Sequence, residues 1–192
     1  APGLRPRAVI RLAELAAVTS ILVALLSGLV LALYGPGTSP MIGYGYVALA
    51  SRLDLVSLVM LLLVSFIGWG VLRYAGTFLD GEARQGPFTG WMTATLAAVL
   101  LLVQSGTLLQ LVIGWCAASL LLHQLLIFYP ERIAARRAAR KKFFVSRLGD
   151  MALIGAVILL AIAFKTGDIA TILAAATGSD ATAMIPDTAR GA

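Results

Sequence analysis

Long apolar runs, broken by short clusters of Gly, Pro, Arg and Asp, organise this chain. Crossing the hydrocarbon core of a bilayer takes about 20 mostly apolar residues in helical form. Five windows meet or approach that length: Val9 to Leu33, Leu55 to Tyr74, Phe88 to Val103, Thr107 to Tyr129 and Phe143 to Phe164. The pattern predicts an all-α polytopic membrane protein with a transmembrane helix bundle over residues 9–164. A cytoplasmic segment, residues 1–8, precedes it, and a polar tail over 165–192 follows that could open further helices.

The breaks carry their own signals. Tyr34-Gly35-Pro36-Gly37 stops the first span, since Gly and Pro are the strongest local punctuators. Ser51-Arg52-Leu53-Asp54 precedes the second, where Ser51 and Asp54 have the spacing of a capping box. The third span is short and breaks at Gln104-Ser105-Gly106, so it should form a tight antiparallel hairpin with the fourth. Gly-rich Met41 to Tyr46 suits a loop or short hairpin, and Ile169 to Ala176 is too short to cross.

Composition changes the solvent of the problem. Of 192 residues, 60% are hydrophobic and only 12% charged, where a soluble domain has about 25% charged. A globule this small cannot hide so much apolar surface, so most of the chain faces lipid. The net charge of +6 would suit nucleic acid, but the basic residues lie between apolar runs, the pattern of loops at an anionic leaflet. A single Cys excludes an internal disulfide and any Cys-based zinc cage. No cleavable signal peptide is evident, and the start Ala1-Pro2-Gly3 suggests a trimmed terminus or a piece of something longer.

Five crossings place the N-terminus and the loops near 75–87 and 130–142 on one side. That side holds twelve basic residues: Arg5, Arg7, Arg11, Arg73, Arg84, Arg132, Arg136, Arg137, Arg140, Lys141, Lys142 and Arg147. The other holds three, Arg52, Lys165 and Arg190. The positive-inside rule then puts the N-terminus in the cytoplasm.

Polar residues inside spans are the candidates for chemistry, because each costs several kcal/mol in lipid unless it faces protein or water. In the fourth span Cys116, Ser119 and His123 recur at i, i+3 and i+7 and share one stripe. His123 can exchange a proton at physiological pH, or it can be satisfied by a backbone carbonyl or by Gln124. Cys116 also fits as a small buried hydrophobe. In the fifth span Arg147 and Asp150, spaced i, i+3, can pair. Either they line an ion path, or Arg147 snorkels to headgroups and Asp150 pairs with it near the start of the helix. Elsewhere structural roles prevail: Glu14 with Arg11 as a surface pair, Asp54 as a cap, Lys165 with Asp168 closing the fifth span. No phosphate loop, catalytic triad or metal-ligand cluster is present, so no enzyme activity and no cofactor is expected of this chain alone.

At residues 107–150 the sequence resembles a known family. Gly114-Trp115, a helix to Phe128-Tyr129, and then Ala138-Ala139-Arg140-Lys141-Lys142-Phe143-Phe144-Val145-Ser146-Arg147-Leu148-Gly149-Asp150 look like the antiporter-like membrane subunits of complex I and of Mrp antiporters. There the stretch runs Gly-Trp-Glu, a polar helix and a Lys-rich segment ending Arg-Val-Gly-Asp. Asp54-Leu55-Val56-Ser57 is similar to that family's Asp-x-x-Ser helix start, and the resemblance covers residues 50–170. The family's relay Glu is replaced by Cys116, and a thiol is a poor substitute for a carboxylate. Cys116, His123 and Phe128-Tyr129-Pro130-Glu131-Arg132 look closer to DabB, the membrane subunit family of the bacterial dissolved-inorganic-carbon accumulation complex.

The resemblance implies a cation-translocating subunit, the cation taken as a proton, in the bacterial inner membrane. It would energise uptake of bicarbonate or carbon dioxide by a large soluble DabA-like partner on the cytoplasmic side. That partner resembles a β-carbonic anhydrase and holds its own zinc, so no metal is expected here. The ion path would comprise His123, Asp150, Arg147, Ser119 and Cys116, and Arg132, Arg136, Arg137, Arg140 and Lys141 would dock the partner. Two alternatives stay open: a proton or sodium translocating subunit of a complex I or Mrp type, and a non-conducting anchor for a soluble enzyme. Family members carry further helices, including a broken one with a buried Lys, so this stretch alone is not expected to transport.

Overall fold

The structure, a computed structural model, describes residues 7–40, 42–44, 47–79, 84–128 and 133–177; the side chains of 7, 44, 47 and 133–138 lie outside the description. Among the described residues six helices form: α1 (Arg7–Tyr34), α2 (Leu55–Phe78), α3 (Gln85–Val103), α4 (Leu108–Leu126), α5 (Ile133–Phe164) and α6 (Ile169–Ala176). The first five are long and apolar enough to cross a membrane, α5 over Ala139–Phe164. The chain is a multi-pass membrane protein.

Helices α1, α2 and α3 pack on one another, α4 packs on α3, and α5 packs on α4. Lipid gives helices no hydrophobic reason to associate, so close approach must come from small residues. Accordingly Ala13 and Ala17 of α1 are buried with Leu72 of α2, and Trp69, Met92 and Leu96 pack around them. At the α3/α4 crossing, a Cβ on Gly114 would stand 3.0 Å from the Cα of Leu102.

The α1–α2 connection is stitched to the other two connections on its side. β1 (Gly37–Thr38) pairs antiparallel with β4 (Arg52–Leu53), Gly37 opposite Leu53. β2 (Ile42–Tyr44) pairs with β3 (Val47–Leu49), Gly43 opposite Ala48, so the Gly-rich stretch is a hairpin. Gly106 then donates to Ala50 O at 2.8 Å, and its own carbonyl accepts from Ile169 N at 3.0 Å. A Cβ on Gly106 would lie 2.6 Å from Ala50 O. Gly106→Ala is therefore expected to destabilise by about 1–3 kcal/mol, the usual range for overpacking, as a lower unfolding midpoint in detergent.

The capping box at α2 is offset from the sequence expectation. Asp54 and Ser57, not Ser51 and Asp54, form it: Ser57 N donates to Asp54 Oδ1 at 2.7 Å and Asp54 N to Ser57 Oγ at 2.8 Å. Ser51 instead bonds across the strands, its N–H donating to Ser39 Oγ at 2.9 Å. The Ser57 backbone N–H, followed by the Ser57 hydroxyl and the Arg52 guanidinium 3.0 Å away, holds the Asp54 carboxyl below its ordinary range against partial burial. A depressed acid stabilises above its unfolded value of about 3.9 and loses that contribution as pH falls through its folded value. Asp54→Ala should thus cost about 0.5–2 kcal/mol at neutral pH and nothing once wild-type Asp54 is protonated, measurable by thermal unfolding across pH.

Two further expectations are corrected. The basic stretch read as a loop over 130–142 is helical from Ile133 onward, because Ala, Arg and Lys are among the best helix formers; its first residues and Tyr129 lie outside the described ones. And Asp168 does not close the fifth span with Lys165. It caps α6, accepting from Ala170 N and Thr171 N at 3.3 Å each, while Lys165 turns the chain with φ 52.

Candidate functional site

Helices α4 and α5 run antiparallel, and a constant register joins their polar residues. Trp115 meets Asp150, Ser119 meets Ser146 and Arg147, and His123 meets Phe143. Positions 115, 119 and 123 are spaced i, i+4 and i+8, one row of a helical face. Each step of four up α4 is a step of three or four down α5. The two sequence motifs that carried the resemblance therefore become one interface.

Asp150 is the focus. It is 3% exposed in the interior of a 32-residue helix. The expectation that it sits near the positive end of the helix dipole fails, because α5 begins seventeen residues earlier and that field fades within the first turn. Two groups compensate its charge instead. The Trp115 indole Nε1 donates to Oδ1 at 3.0 Å, and Arg147 Nη2 stands 2.6 Å from Oδ2. The latter is an ion pair by distance without hydrogen-bond alignment, since Oδ2 is buried with no hydrogen-bond partner. Counting about 20 residues of hydrocarbon back from Phe164 puts Asp150 roughly 8 Å inside the apolar layer, measured from its boundary on the N-terminal side of α5 at 1.5 Å per residue.

Arg147 faces several ways at once. Its side chain is 32% exposed, its Cζ lies 5.4 Å from the Phe143 ring centre, and Nη2 reaches Ser119 Oγ at 3.4 Å. Ser119 and Ser146 share a hydrogen bond of 2.6 Å. His123 packs its imidazole at 5.0 Å from the same Phe143 ring, and its Nδ1 is buried without a hydrogen-bond partner. Phe143 thus lies between an imidazole and a guanidinium. Cys116 is half-buried beside this row, within electrostatic reach of both Asp150 and Arg147.

His123, Ser119, Arg147 and Asp150 are thus brought onto one interface, with Cys116 at its edge. Among the docking candidates Arg140 and Lys141 are exposed, Arg136 and Arg137 lie on α5 with side chains outside the description, and Arg132 is outside the described residues. Sequence reasoning did not single out Trp115 as a site residue. The available signal was its place one turn before Ser119 on an otherwise apolar helix, together with the rule that a buried indole N–H seeks an acceptor.

No protein-family model matches the chain. It is 39% identical over 106 residues, 55% of its length, to "Probable inorganic carbon transporter subunit DabB" of Hydrogenovibrio crunogenus, covering 20% of that protein. It is 36% identical over 146 residues, 76% of its length, to the corresponding DabB2 of Halothiobacillus neapolitanus, covering 26% of it. NADH-ubiquinone oxidoreductase chain 5 of Acanthamoeba castellanii is 30% identical over 119 residues. A chain of the Mrp complex from Dietzia sp. shares the fold over 92% of this chain and 22% of its own, with a TM-score of 0.69 at 21% identity. The chain spans about a fifth to a quarter of the length of the DabB relatives it matches. Sequence and fold agree that it is related to the antiporter-like membrane subunits, with DabB proteins among its relatives.

Proposed function

We propose that this chain forms the part of a cation-translocating membrane subunit in which a proton passes along the α4/α5 interface. The observation that carries the reading is Asp150, a carboxylate 3% exposed within a membrane-spanning helix and compensated by Trp115 and Arg147. A buried ionisable group in a span is costly, and where one occurs it usually faces the protein interior and marks an ion route. His123, with its free buried Nδ1, would pass protons between the cytoplasmic side and Ser119, Arg147 and Asp150. Protonation of Asp150 weakens its hold on Arg147, and the pair acts as a switch.

The two DabB relatives extend the proposal to the whole complex. The subunit would energise inorganic carbon uptake by a cytoplasmic, zinc-holding, DabA-like partner in the bacterial inner membrane, with the N-terminus cytoplasmic. The basic start of α5, where Arg140 and Lys141 are exposed, would dock that partner. His123→Ala is expected to lower labelled bicarbonate uptake by about tenfold or more while the complex still co-purifies. If uptake persists in His123→Ala and Asp150→Asn, and Arg140→Gln with Lys141→Gln releases the partner, the chain is an anchor. The Mrp fold and the oxidoreductase relative favour a second reading, a proton or sodium translocating subunit of complex I or Mrp type. Co-purification separates the two: other antiporter-like subunits for that reading, one large soluble zinc protein for the first.

A further inference from the structure

Both oxygens of Asp150 are held, but in different ways. Oδ1 accepts the Trp115 indole N–H at 3.0 Å. Oδ2 lies 2.6 Å from Arg147 Nη2 yet takes part in no hydrogen bond. An indole N–H can only donate, and a carbonyl oxygen accepts better than a carboxyl hydroxyl oxygen, so the bond favours an unprotonated Oδ1. In the neutral acid that leaves Oδ2 as the place for the proton. We infer that Trp115 is a positioning residue that selects Oδ2, the oxygen facing Arg147, as the proton-bearing atom of Asp150.

This deepens the proposed function and rests on Asp150 being a proton carrier. In the step itself a proton from the aqueous route forms an O–H bond on Oδ2, and no covalent bond of the protein breaks. The carboxyl becomes neutral and Arg147 stays cationic. A neutral Oδ2–H no longer offers the guanidinium a counter-charge and is a weaker acceptor, so the 2.6 Å contact loosens and the guanidinium moves away. Ser119 Oγ, already 3.4 Å from Nη2, is the acceptor waiting on α4. Among the described residues, the further titratable groups beside the pair are Cys116 on α4 and, two turns along, His123. Without the indole N–H the proton is free to settle on Oδ1. Oδ2 then keeps its contact with Arg147, and proton binding no longer moves the arginine. Trp115 is 47% exposed, so its ring is not a core element, and replacing N–H alone leaves its packing intact.

The test uses the assembled complex in lipid membranes, with Trp115 replaced by benzothienylalanine, which keeps the ring shape and lacks the N–H, and separately Trp115→Phe. Isotope-edited infrared difference spectra, with Asp150→Asn to identify the band, follow the carbonyl stretch of protonated Asp150. The expected result is a carbonyl stretch set in wild type by the neutral indole donor on Oδ1, and moved to lower frequency in both variants, where the carbonyl is Oδ2 facing the cationic Arg147, with cation flux reduced about tenfold as geometry is lost. An unshifted or raised band in the benzothienylalanine protein overturns the inference, whether or not flux falls, since a proton that stays on Oδ2 leaves Oδ1 a carbonyl that has merely lost its donor. A shifted band with wild-type flux also overturns it, because proton placement would then not matter. If Asp150→Asn itself keeps flux, the proton-carrier reading falls and this inference with it. Loss of flux in Asp150→Asn with no change in the variants removes only the role of Trp115.

Discussion

Asp150→Asn is expected to lower cation flux at least a hundredfold, within the range that a positioned proton-transfer group supplies, while the subunit still inserts and assembles. The substitution is close to isosteric. An asparagine carbonyl can still accept from the Trp115 indole, which now stands 3.0 Å from Oδ1, but the amide cannot carry a proton. What it leaves behind is Arg147 without a counter-charge. Breaking a fully buried pair costs about 3–5 kcal/mol, yet Arg147 is 32% exposed and already reaches Ser119. Its long stem lets the guanidinium move toward the headgroups, so the stability loss should shrink to about 1–2 kcal/mol. Flux and assembly are therefore separable. Proton flux into reconstituted vesicles, read alongside co-purification of the partner, checks both, and flux within twofold of wild type removes Asp150 from the ion path.

The five spans and the α3/α4 hairpin were legible because lipid makes a simple demand: every backbone polar group must be satisfied within a helix, over a length set by the bilayer. The stripe containing Ser119 and His123, and the Arg147/Asp150 pair, were legible for the same reason, as exceptions to an apolar rule. What the sequence concealed depends on inter-helix register. That Trp115 meets Asp150 follows only from how α4 slides against α5, and Ser119 against Ser146 fixes the same offset. Periodicity within one helix contains no such information. The stripe drawn through Cys116 was accordingly one residue off, since the facing row runs through Trp115.

A second group of polar residues went unassigned. Thr107 Oγ1 donates to Ala48 O at 2.7 Å, Gln110 Oε1 accepts from Ala50 N at 3.2 Å, and Gln85 Nε2 donates to Gly76 O at 2.8 Å. All three are buried. They satisfy backbone groups where helices end and the chain reverses, partners about sixty residues away in two cases. The basic stretch before Phe143 was misjudged for a different reason. Apolar periodicity marks a helix that packs or spans, and a run of Arg, Lys and Ala has high helix propensity without it. At about 1.5 Å per residue, a helix of 32 residues outruns the roughly 30 Å hydrocarbon core. Its basic first turns therefore extend past the apolar layer, which is how Arg140 and Lys141 can be both helical and exposed.

Arg147→Met should be the more damaging half of the pair. It leaves Asp150, 3% exposed, with only the Trp115 donor among the partners described. A short carboxylate has no stem with which to reach the interface, so the discount that softened Asp150→Asn does not apply. A loss of about 3–5 kcal/mol is expected, seen as a lower unfolding midpoint and reduced recovery of the complex, together with lost flux. The double variant Arg147→Met with Asp150→Leu separates the causes. Replacing both members of a buried ion pair by apolar residues of similar volume is often neutral or stabilising, so stability should return to within about 1 kcal/mol of wild type. Flux should not return, because no titratable group remains at that depth of α5. The second substitution then rescues stability and does not rescue transport. If the double variant is as unstable as Arg147→Met alone, the loss comes from the guanidinium's contact with the Phe143 ring, its Cζ 5.4 Å from the ring centre, and not from a stranded charge. If flux returns with stability, the pair is a scaffold and the proton travels elsewhere along α4.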